Sequence, residues 1–250
     1  MRADDHGLVD PVSRQRAATV AVWRADAATR PHGGWCDLGG LAVHTTGLPV
    51  AHWNGAHLTG PAGMARLPQA AAWFAERGMP WAVLVPDELD RDHGLELIVE
   101  QRVMLRSLEH LDAVPDVELR WDAAGDAAYV QGEAFGDPLA TEFVLPKATN
   151  AACALVVAYD SGLPVATATL VAVDGVAAVY GVGTVGRARR QGLGAAVTLA
   201  VLHEGRRRGC DLAFLNPSPS GYGVYARLGF ADAPPWRVYR TLAEVPAAAE

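Results

Sequence analysis

Cysteine is scarce in this chain, and no run of apolar residues is long enough to cross a membrane. A membrane-spanning helix needs about 20 consecutive apolar residues. The first 16 residues carry acidic side chains and no apolar core, unlike a signal peptide. An odd number of scattered cysteines, none at a metal-site spacing, fits a reducing compartment rather than a disulfide framework; they are Cys36, Cys153 and Cys210. We therefore expect a soluble cytoplasmic protein without disulfides, a membrane segment or a bound metal.

The chain also lacks an excess of positive charge. Its formal net charge of −7 argues against nucleic acid or an anionic membrane as a general partner. Apolar residues make up 50% of the 250 residues and charged residues 20%, which is ordinary for a globular protein of one large or two small domains. His52 and His57 are too far apart to share one helical face, so no zinc site is expected there.

The most informative segment that is present is a glycine-bearing turn at residues 189–194, Arg-Arg-Gln-Gly-Leu-Gly. It follows an apolar, strand-like run at 176–185 and precedes an Ala- and Leu-rich run at 195–208 that predicts a helix. A helix N-terminus exposes backbone N–H groups at the positive end of the helix dipole, and both features suit a pyrophosphate. Gly192 and Gly194 lack side chains that would hold a phosphate away from the backbone. The pattern predicts a cradle for a phosphorylated cofactor.

A second glycine pattern overlaps the strand-like run. Residues 181–186, Gly-Val-Gly-Thr-Val-Gly, match the G-x-G-x-x-G pattern of dinucleotide-binding folds. That pattern requires its last glycine to open a helix within a β-α-β unit, with an acidic residue at the end of the next strand. Here the glycines lie within the strand-like run, the helix begins near Gly192, and Asp211 begins the next strand. The sequence therefore disfavours a dinucleotide site.

The order of motifs over residues 117–242 resembles that of the GNAT superfamily of N-acetyltransferases. Residues 189–194 match the Q/R-x-x-G-x-G/A pattern of its acetyl-CoA loop. Residues 225–230, Tyr-Ala-Arg-Leu-Gly-Phe, resemble its Y-x-x-x-G-F pattern. Each pattern alone is weak, but the two in order, with a strand and a helix between them, are specific. The resemblance implies a GNAT fold of the α/β (α+β) class, with a mixed, mostly antiparallel sheet flanked by helices, and acetyl-CoA as cosubstrate.

The first half of the chain resembles a second, degenerate copy. Residues 13–112 show a similar order of predicted elements, including a short helix near 93–100, but no Q/R-x-x-G-x-G/A pattern. At the corresponding junction Pro61 lacks an N–H that a pyrophosphate would use. The chain thus resembles tandem GNAT proteins of actinobacteria, with the acetyl-CoA-binding catalytic domain at 116–245. An unrelated α+β domain is the alternative for the first half.

The resemblance implies roles for residues around the turn. The cofactor loop would comprise Arg189, Arg190, Gln191, Gly192, Leu193 and Gly194. The pantetheine arm would contact the strand edge at Val182, Gly183 and Thr184, and the Asn216 side chain where the sheet opens. Tyr225 is the candidate general acid, since a phenol with a pKa near 10 can protonate a departing thiolate without being ionised at neutral pH.

The general base is not visible in the sequence. Many GNAT enzymes carry a glutamate on the strand before the cofactor loop, but residues 177–186 contain no acidic residue. The alternatives are Glu133 or Glu142 from the preceding helices, a water relay, or an acceptor amine of low pKa.

These features together predict an acetyl-CoA-dependent N-acetyltransferase that acts on the primary amine of a small molecule or amino acid-like substrate, as a monomer or homodimer. Two alternatives stay open. One is a CoA-binding sensor or scaffold without turnover, and the other is an acyltransferase that uses a different acyl-CoA.

Overall fold

The computed structural model describes residues 10–240. Its helices are α1 Pro11–Ala27, α2 Leu67–Ala75, α3 Ala124–Phe135, α4 Ala140–Val144, α5 Leu193–Arg207 and α6 Tyr222–Arg227. Its strands are β1 Gly34–Asp37, β2 Leu41–Thr45, β3 Asn54–Leu58, β4 Ala82–Pro86, β5 Glu96–Ser107, β6 Glu118–Trp121, β7 Cys153–Asp160, β8 Leu163–Val173, β9 Val176–Thr184, β10 Leu212–Leu215 and β11 Ala231–Arg240. Residues 241–245 of the predicted second domain, and most of the segment compared with a signal peptide, lie outside the described residues. Between residues 10 and 240, no helix is long and apolar enough to span a membrane.

All of these strands belong to one sheet, in the order β1-β2-β3-β4-β11-β5-β10-β9-β8-β7-β6. The pairings are antiparallel except for β3 with β4 and β9 with β10. Each parallel pair is joined by a crossover that contains a helix, α2 in the first half and α5 in the second. The prediction of a mixed, mostly antiparallel sheet flanked by helices is confirmed.

The two halves of the chain exchange their last strands. Strand β5, the last of the first half, lies between β10 and β11 of the second half. Strand β11 in turn lies between β4 and β5. The sheet therefore runs without a break across residues 112–116, and separating the halves would break strand pairings on both sides of β11. The division into domains at 13–112 and 116–245 stays a prediction.

One predicted element is wrong. The short helix expected near residues 93–100 is replaced by the beginning of β5, in which Leu97 pairs with Tyr239 and Val99 with Val238. The partner strand is more than a hundred residues away in the sequence, so local periodicity carries no sign of it. The β-branched Ile98 and Val99 favour a strand once that partner is present.

Helices cover both faces of the sheet. Because successive side chains of a strand point to opposite faces, the residues of β7 show which face each helix covers. Cys153 and Leu155 face the side on which α1 and α3 pack. Ala154 and Val156 face the opposite side and belong to the largest core cluster, which includes α5 and α6. In the first half α2 packs on that opposite side through Phe74. The side of the sheet on which α1 packs is called the α1 face below, and the side on which α5 packs is called the α5 face.

A buried ion cluster ties α1 to the second half of the chain. The Asp26 carboxylate accepts hydrogen bonds from Arg30 Nε at 2.7 Å and from Nζ of Lys147 at 2.6 Å. Arg30 also donates to the backbone oxygen of Phe143 at 2.7 Å. Burial alone would raise the pKa of Asp26, but Lys147 and Arg30 outweigh it and hold that pKa below its usual value. The cluster therefore stabilises the fold fully at any pH above the unfolded-state pKa of Asp26. This stabilisation is lost as the pH falls through the lower pKa that Asp26 has in the folded state.

We expect Asp26→Ala to lower the free energy of unfolding by about 3–5 kcal/mol, because it leaves two buried cations without a counter-charge. Urea denaturation at neutral pH measures this. The control is Glu118→Ala, which removes the exposed partner of Arg120 and is expected to cost at most about 1 kcal/mol. Equal losses in the two variants would contradict the stabilising role of the cluster.

Candidate functional site

The turn before α5 presents an uninterrupted row of free backbone donors. Among residues 10–240, no backbone or side-chain acceptor is found for the N–H groups of residues 190–195. The first intrahelical bond that involves this turn runs from the Ala196 N–H to the Gly192 carbonyl at 3.0 Å. These donors surround the positive end of α5, which is 15 residues long. The turn therefore has the chemistry of an anion site.

Gly192 is required by its backbone conformation rather than by crowding. Its φ of +81° lies in the left-handed region, where a side chain is strained, although an added Cβ would meet no atom within 4 Å. Gly194 differs, because an added Cβ would make only an ordinary contact with Thr184 Oγ1 at 3.7 Å. The two glycines are thus separable by mutation. Leu193 between them is buried in the core and anchors the turn.

Arg189 fixes the turn to its surroundings. Its Nε donates to the Thr184 carbonyl and its Nη2 to the Ala134 carbonyl, both at 3.2 Å. The guanidinium thereby links the turn to the ends of β9 and α3. Arg190 and Gln191 are exposed, and Arg190 has a φ of +63°, which turns the chain into the helix.

The parallel strands β9 and β10 separate next to this turn. Their pairing covers 176–179 of β9 and ends at Val179 opposite Leu215. Beyond it, the β10-facing edge of β9 has no strand partner within residues 10–240, and this open edge includes Val182, Gly183 and Thr184. The edge is a place where an extended ligand can add backbone-like hydrogen bonds.

The strand glycines have local structural explanations. Gly181 has a φ of +57° at the register shift between β8 and β9, and an added Cβ would lie 2.5 Å from Gln131 Nε2. At Gly183 an added Cβ would lie 3.0 Å from the Ala134 Cβ, so α3 can approach the strand closely. Since both glycines lie within β9 and α5 begins at Leu193, the geometry differs from that of a dinucleotide fingerprint.

Asn216 lies at the point where the strands separate. It follows Leu215 directly, and its Nδ2 donates to the backbone oxygen of Arg102 in β5 at 2.8 Å. Asn216 also lines a cavity on the α1 face of the sheet.

Tyr225 lies on the other face of the sheet, in the core cluster that also contains Leu193 and Leu215. Burial raises the pKa of its phenol to about 12, so the hydroxyl is protonated at neutral pH. No hydrogen-bond partner for this hydroxyl is found among residues 10–240, which leaves the proton free for a ligand. The cofactor-loop residues, the β9 edge and Asn216 thus lie around the C-terminal ends of β9 and β10, and Tyr225 packs on the α5 face of the same half.

The cavity on the α1 face was not visible in the sequence. Its volume is about 70 Å³, and its lining includes Trp23, His44, His57, Tyr180, Asn216 and Trp236. Four buried polar atoms in this lining have no hydrogen-bond partner among residues 10–240: Nε2 of His44, both ring nitrogens of His57, and Nε1 of Trp236. An unsatisfied buried polar group costs about 1–3 kcal/mol. These atoms can be satisfied by an ordered water or by a hydrogen-bonding group of a ligand.

Burial keeps two of the three histidines in the cavity lining, His44 and His57, neutral, and it also lowers the pKa of the third, His52. It lowers the pKa of His57 from 6.5 to about 3. Burial, followed by the neighbouring His57, lowers the pKa of His44 well below 6.5. The rings of His44 and His57 lie with centroids 5.1 Å apart, and no carboxylate, lysine or arginine among residues 10–240 lines the cavity.

These shifts predict acid destabilisation that begins near pH 6.5. Below about pH 6.5 these histidines are protonated in the unfolded chain but stay neutral in the folded chain. The free energy of unfolding is therefore highest above that pH and decreases as the pH falls below it. Each of the two histidines, His44 and His57, lowers the free energy of unfolding by up to about 1.4 kcal/mol for every pH unit below 6.5, until its folded-state pKa is reached. Urea denaturation from pH 7 to pH 5 should show this slope, and His57→Phe should remove about half of it. An unchanged slope in that variant would contradict the burial of a neutral His57.

The corresponding junction of the first half is closed by its own backbone. The N–H groups of Thr59 and Gly60 both donate to the Gly40 carbonyl, at 2.9 and 3.2 Å. At Gly63 an added Cβ would lie 2.0 Å from that same oxygen. The donors that a phosphate would need are thus partly used by the turn between β1 and β2.

The carboxylates considered as a base lie elsewhere. Glu133 and Glu142 are exposed and do not line the cavity. In the part of the chain that the structure describes, no group of three or more His, Cys, Asp or Glu side chains is arranged to hold a metal ion.

Comparisons with known proteins agree with this geometry. The family described as "Probable histone acetyltransferase Rv0428c C-terminal" matches residues 18–238. Among solved structures, a GCN5-related N-acetyltransferase from Kribbella flavida is 21% identical with a TM-score of 0.73, over 96% of this chain and 99% of that chain. A tandem GNAT protein from the clavulanic acid biosynthesis pathway is 13% identical with a TM-score of 0.57, over 96% and 97%. One from Sphaerobacter thermophilus, GCN5-related, is 18% identical with a TM-score of 0.53, over 82% of each chain. A comparison with curated proteins found no match.

Proposed function

We propose an acyl donor and an acceptor for this chain, which belongs to the family described as probable histone acetyltransferase Rv0428c C-terminal and is a GNAT N-acetyltransferase. The donor is acetyl-CoA, and the acceptor is the primary amine of a small molecule or amino acid-like substrate. The observation that carries the donor assignment is the row of free N–H groups at residues 190–195, at the start of α5.

The turn and the β9 edge together fit an acyl-CoA. The free donors and the helix dipole suit the pyrophosphate, and Gly192 keeps the backbone accessible. The open edge at Val182–Thr184 suits the amides of the pantetheine arm, because they can pair with a strand as an added strand would. This arm would lead towards Asn216, where β9 and β10 separate.

The chemistry needs little more than positioning and a proton donor. When bound, acetyl-CoA supplies an acetyl group that its thioester already activates towards an amine. The turn and strand edge hold that group in place, which lowers the entropic cost of the reaction. As the amine nitrogen bonds to the acetyl carbon and the C–S bond breaks, Tyr225 would donate its phenolic proton to the departing sulfur, and the proton that the amine loses would restore the phenol directly or through solvent. The phenol is protonated at neutral pH because burial raises its pKa.

The test is the release of free thiol from acetyl-CoA in the presence of a panel of primary amines. The panel contains small amino alcohols, amino acids and, because of the family description, a histone-tail peptide. Thiol release with small amines supports the proposal, whereas release with the peptide alone would replace the small acceptor by a protein. Faster release from succinyl-CoA than from acetyl-CoA would change the donor. Acetyl-CoA binding without release for any acceptor would favour a CoA-binding sensor.

A further inference from the structure

We propose that the cavity on the α1 face binds an uncharged hydrogen-bonding group of the acceptor, a hydroxyl or a carboxamide, through the ring nitrogens of His44, His57 and Trp236. This inference rests on the proposed function, because it names the part of the acceptor that the protein recognises. It also gives the first half of the chain a role in catalysis, since His44 lies in β2 and His57 in β3.

The position of the cavity connects it to the acyl-transfer site. Tyr180 and Asn216 both line it, and they are the residues that directly follow the last β9–β10 pair, Val179 with Leu215. One end of the cavity is therefore the opening between the strands. The other end is formed by His44 and His57. The Trp23 ring lies between the two ends, with its centroid 4.6 Å from that of His44 and 6.4 Å from that of Tyr180.

The size of the cavity limits what it can accept. Its volume of about 70 Å³ corresponds to roughly two water molecules. It can hold the end of a small substrate but not a whole peptide side chain with its backbone. An amine that stays at the opening near Tyr180 and Asn216 can thus place a short polar tail among the histidines.

The lining selects an uncharged tail. A neutral imidazole offers one donor and one acceptor, and an indole N–H offers a donor only. Burial holds His44 and His57 neutral, and among residues 10–240 no lysine or arginine lines the cavity. Arg16, whose guanidinium lies 4.6 Å from the Trp236 ring centroid, is already paired with Glu88, so a carboxylate would find no free counter-charge in the lining. An ammonium would meet no carboxylate there either, because in the described part of the chain no Asp or Glu lines the cavity. Hydroxyl and carboxamide groups both donate and accept, and they match this mixture.

The weak basicity of these rings argues for recognition rather than proton abstraction. A histidine whose pKa is lowered to about 3 is a poor acceptor for the proton of an alkylammonium ion. Its nitrogens nevertheless remain good hydrogen-bonding groups. We therefore assign His44 and His57 to binding and leave the general base unassigned.

The first measurement is a titration of the full-length protein with three amines of similar length that differ at the far end. They are 3-aminopropan-1-ol, n-butylamine and 4-aminobutyrate. The imidazole signals of His44 and His57, assigned with single-histidine variants, are followed by long-range proton–nitrogen NMR at neutral pH, without acetyl-CoA. We expect the amino alcohol to shift both signals and the other two amines to leave them unchanged.

The second measurement uses His57→Phe, which keeps an aromatic ring against Trp236 and removes two nitrogens for which residues 10–240 supply no hydrogen-bond partner. We expect kcat/KM for the amino alcohol to exceed that for butylamine by at least about 10-fold in the wild-type enzyme, and this preference to disappear in the variant. His110→Phe, at an exposed position outside the cavity, should retain the preference. His44→Phe repeats the test if His57→Phe does not fold.

The outcomes separate this proposal from the proposed function. Thiol release with unshifted imidazole signals would overturn the cavity assignment and leave the acetyltransferase function standing. Equal shifts with butylamine would overturn the hydrogen-bonding role, and shifts with 4-aminobutyrate alone would overturn the uncharged class. Imidazole shifts with the amino alcohol but without thiol release would support the cavity as a binding site while the acetyl-transfer function fails.

Discussion

Replacing Gly192 with aspartate is expected to abolish acetyl-CoA binding, with an increase in Kd of more than about 100-fold. The new carboxylate would lie among the free N–H groups of the turn before α5, where it would compete for those donors and repel the pyrophosphate. The variant should still fold, because an added Cβ at this position meets no atom within 4 Å and aspartate tolerates the left-handed conformation better than most residues. Calorimetric titration with acetyl-CoA measures the effect.

Gly194→Ala is the matched control for this variant. The added methyl group would make only an ordinary contact with Thr184 Oγ1 at 3.7 Å, and alanine favours a helix more than glycine does. Binding in this control should stay within about 3-fold of the wild type. Near-normal affinity of Gly192→Asp would remove the basis for placing the pyrophosphate at this turn.

Tyr225→Phe is expected to lower kcat by about 10²–10⁴-fold while the Kd for acetyl-CoA stays nearly unchanged. In the proposed mechanism the phenol is the proton donor for the departing sulfur, and removing its oxygen leaves the packing of the ring in the α5-side core intact. Because the pKa of Tyr225 is raised to about 12, its own ionisation should not limit activity below pH 10. Steady-state kinetics with thiol detection separates kcat from binding.

The control for this prediction is Tyr222→Phe, three residues earlier. The Tyr222 hydroxyl donates to the Asp232 carboxylate at 2.7 Å, so its loss should affect a surface contact and leave kcat within a few-fold. If Tyr225→Phe turns over at the wild-type rate, Tyr225 has a structural role only.

The elements next to the cofactor turn were readable from the sequence because their signals are local. An apolar strand, a glycine-bearing turn and an amphipathic helix follow one another within about 30 residues, and β9 and α5 lie where this pattern predicts them. Strand β5 was not readable in full, because its partner β11 lies far away in the sequence. The exchange of β5 and β11 between the halves has no local signature either, since it depends on pairings between residues far apart in the sequence.

The candidate site likewise has one part that local sequence signals predict and one part that they do not. The loop at residues 189–194 follows from spacing and from the conformational needs of glycine. The cavity does not, because its polar atoms come from β2, β3 and β11, which no motif connects. In the sequence, His44 and His57 stand out only as polar residues flanked by small or apolar neighbours, Val43 and Thr45 in β2 and Ala56 and Leu58 in β3. Such residues are buried among apolar neighbours and need a partner, which is the signal that could have identified them.

The most direct test of the account is a calorimetric titration of the purified protein with acetyl-CoA, with NAD as the control ligand. We predict saturable, micromolar binding of acetyl-CoA and no detectable binding of NAD. This result would support the assignment of the turn before α5 to a CoA pyrophosphate and justify the amine panel. Absence of acetyl-CoA binding, or binding of NAD in its place, would contradict the assignment.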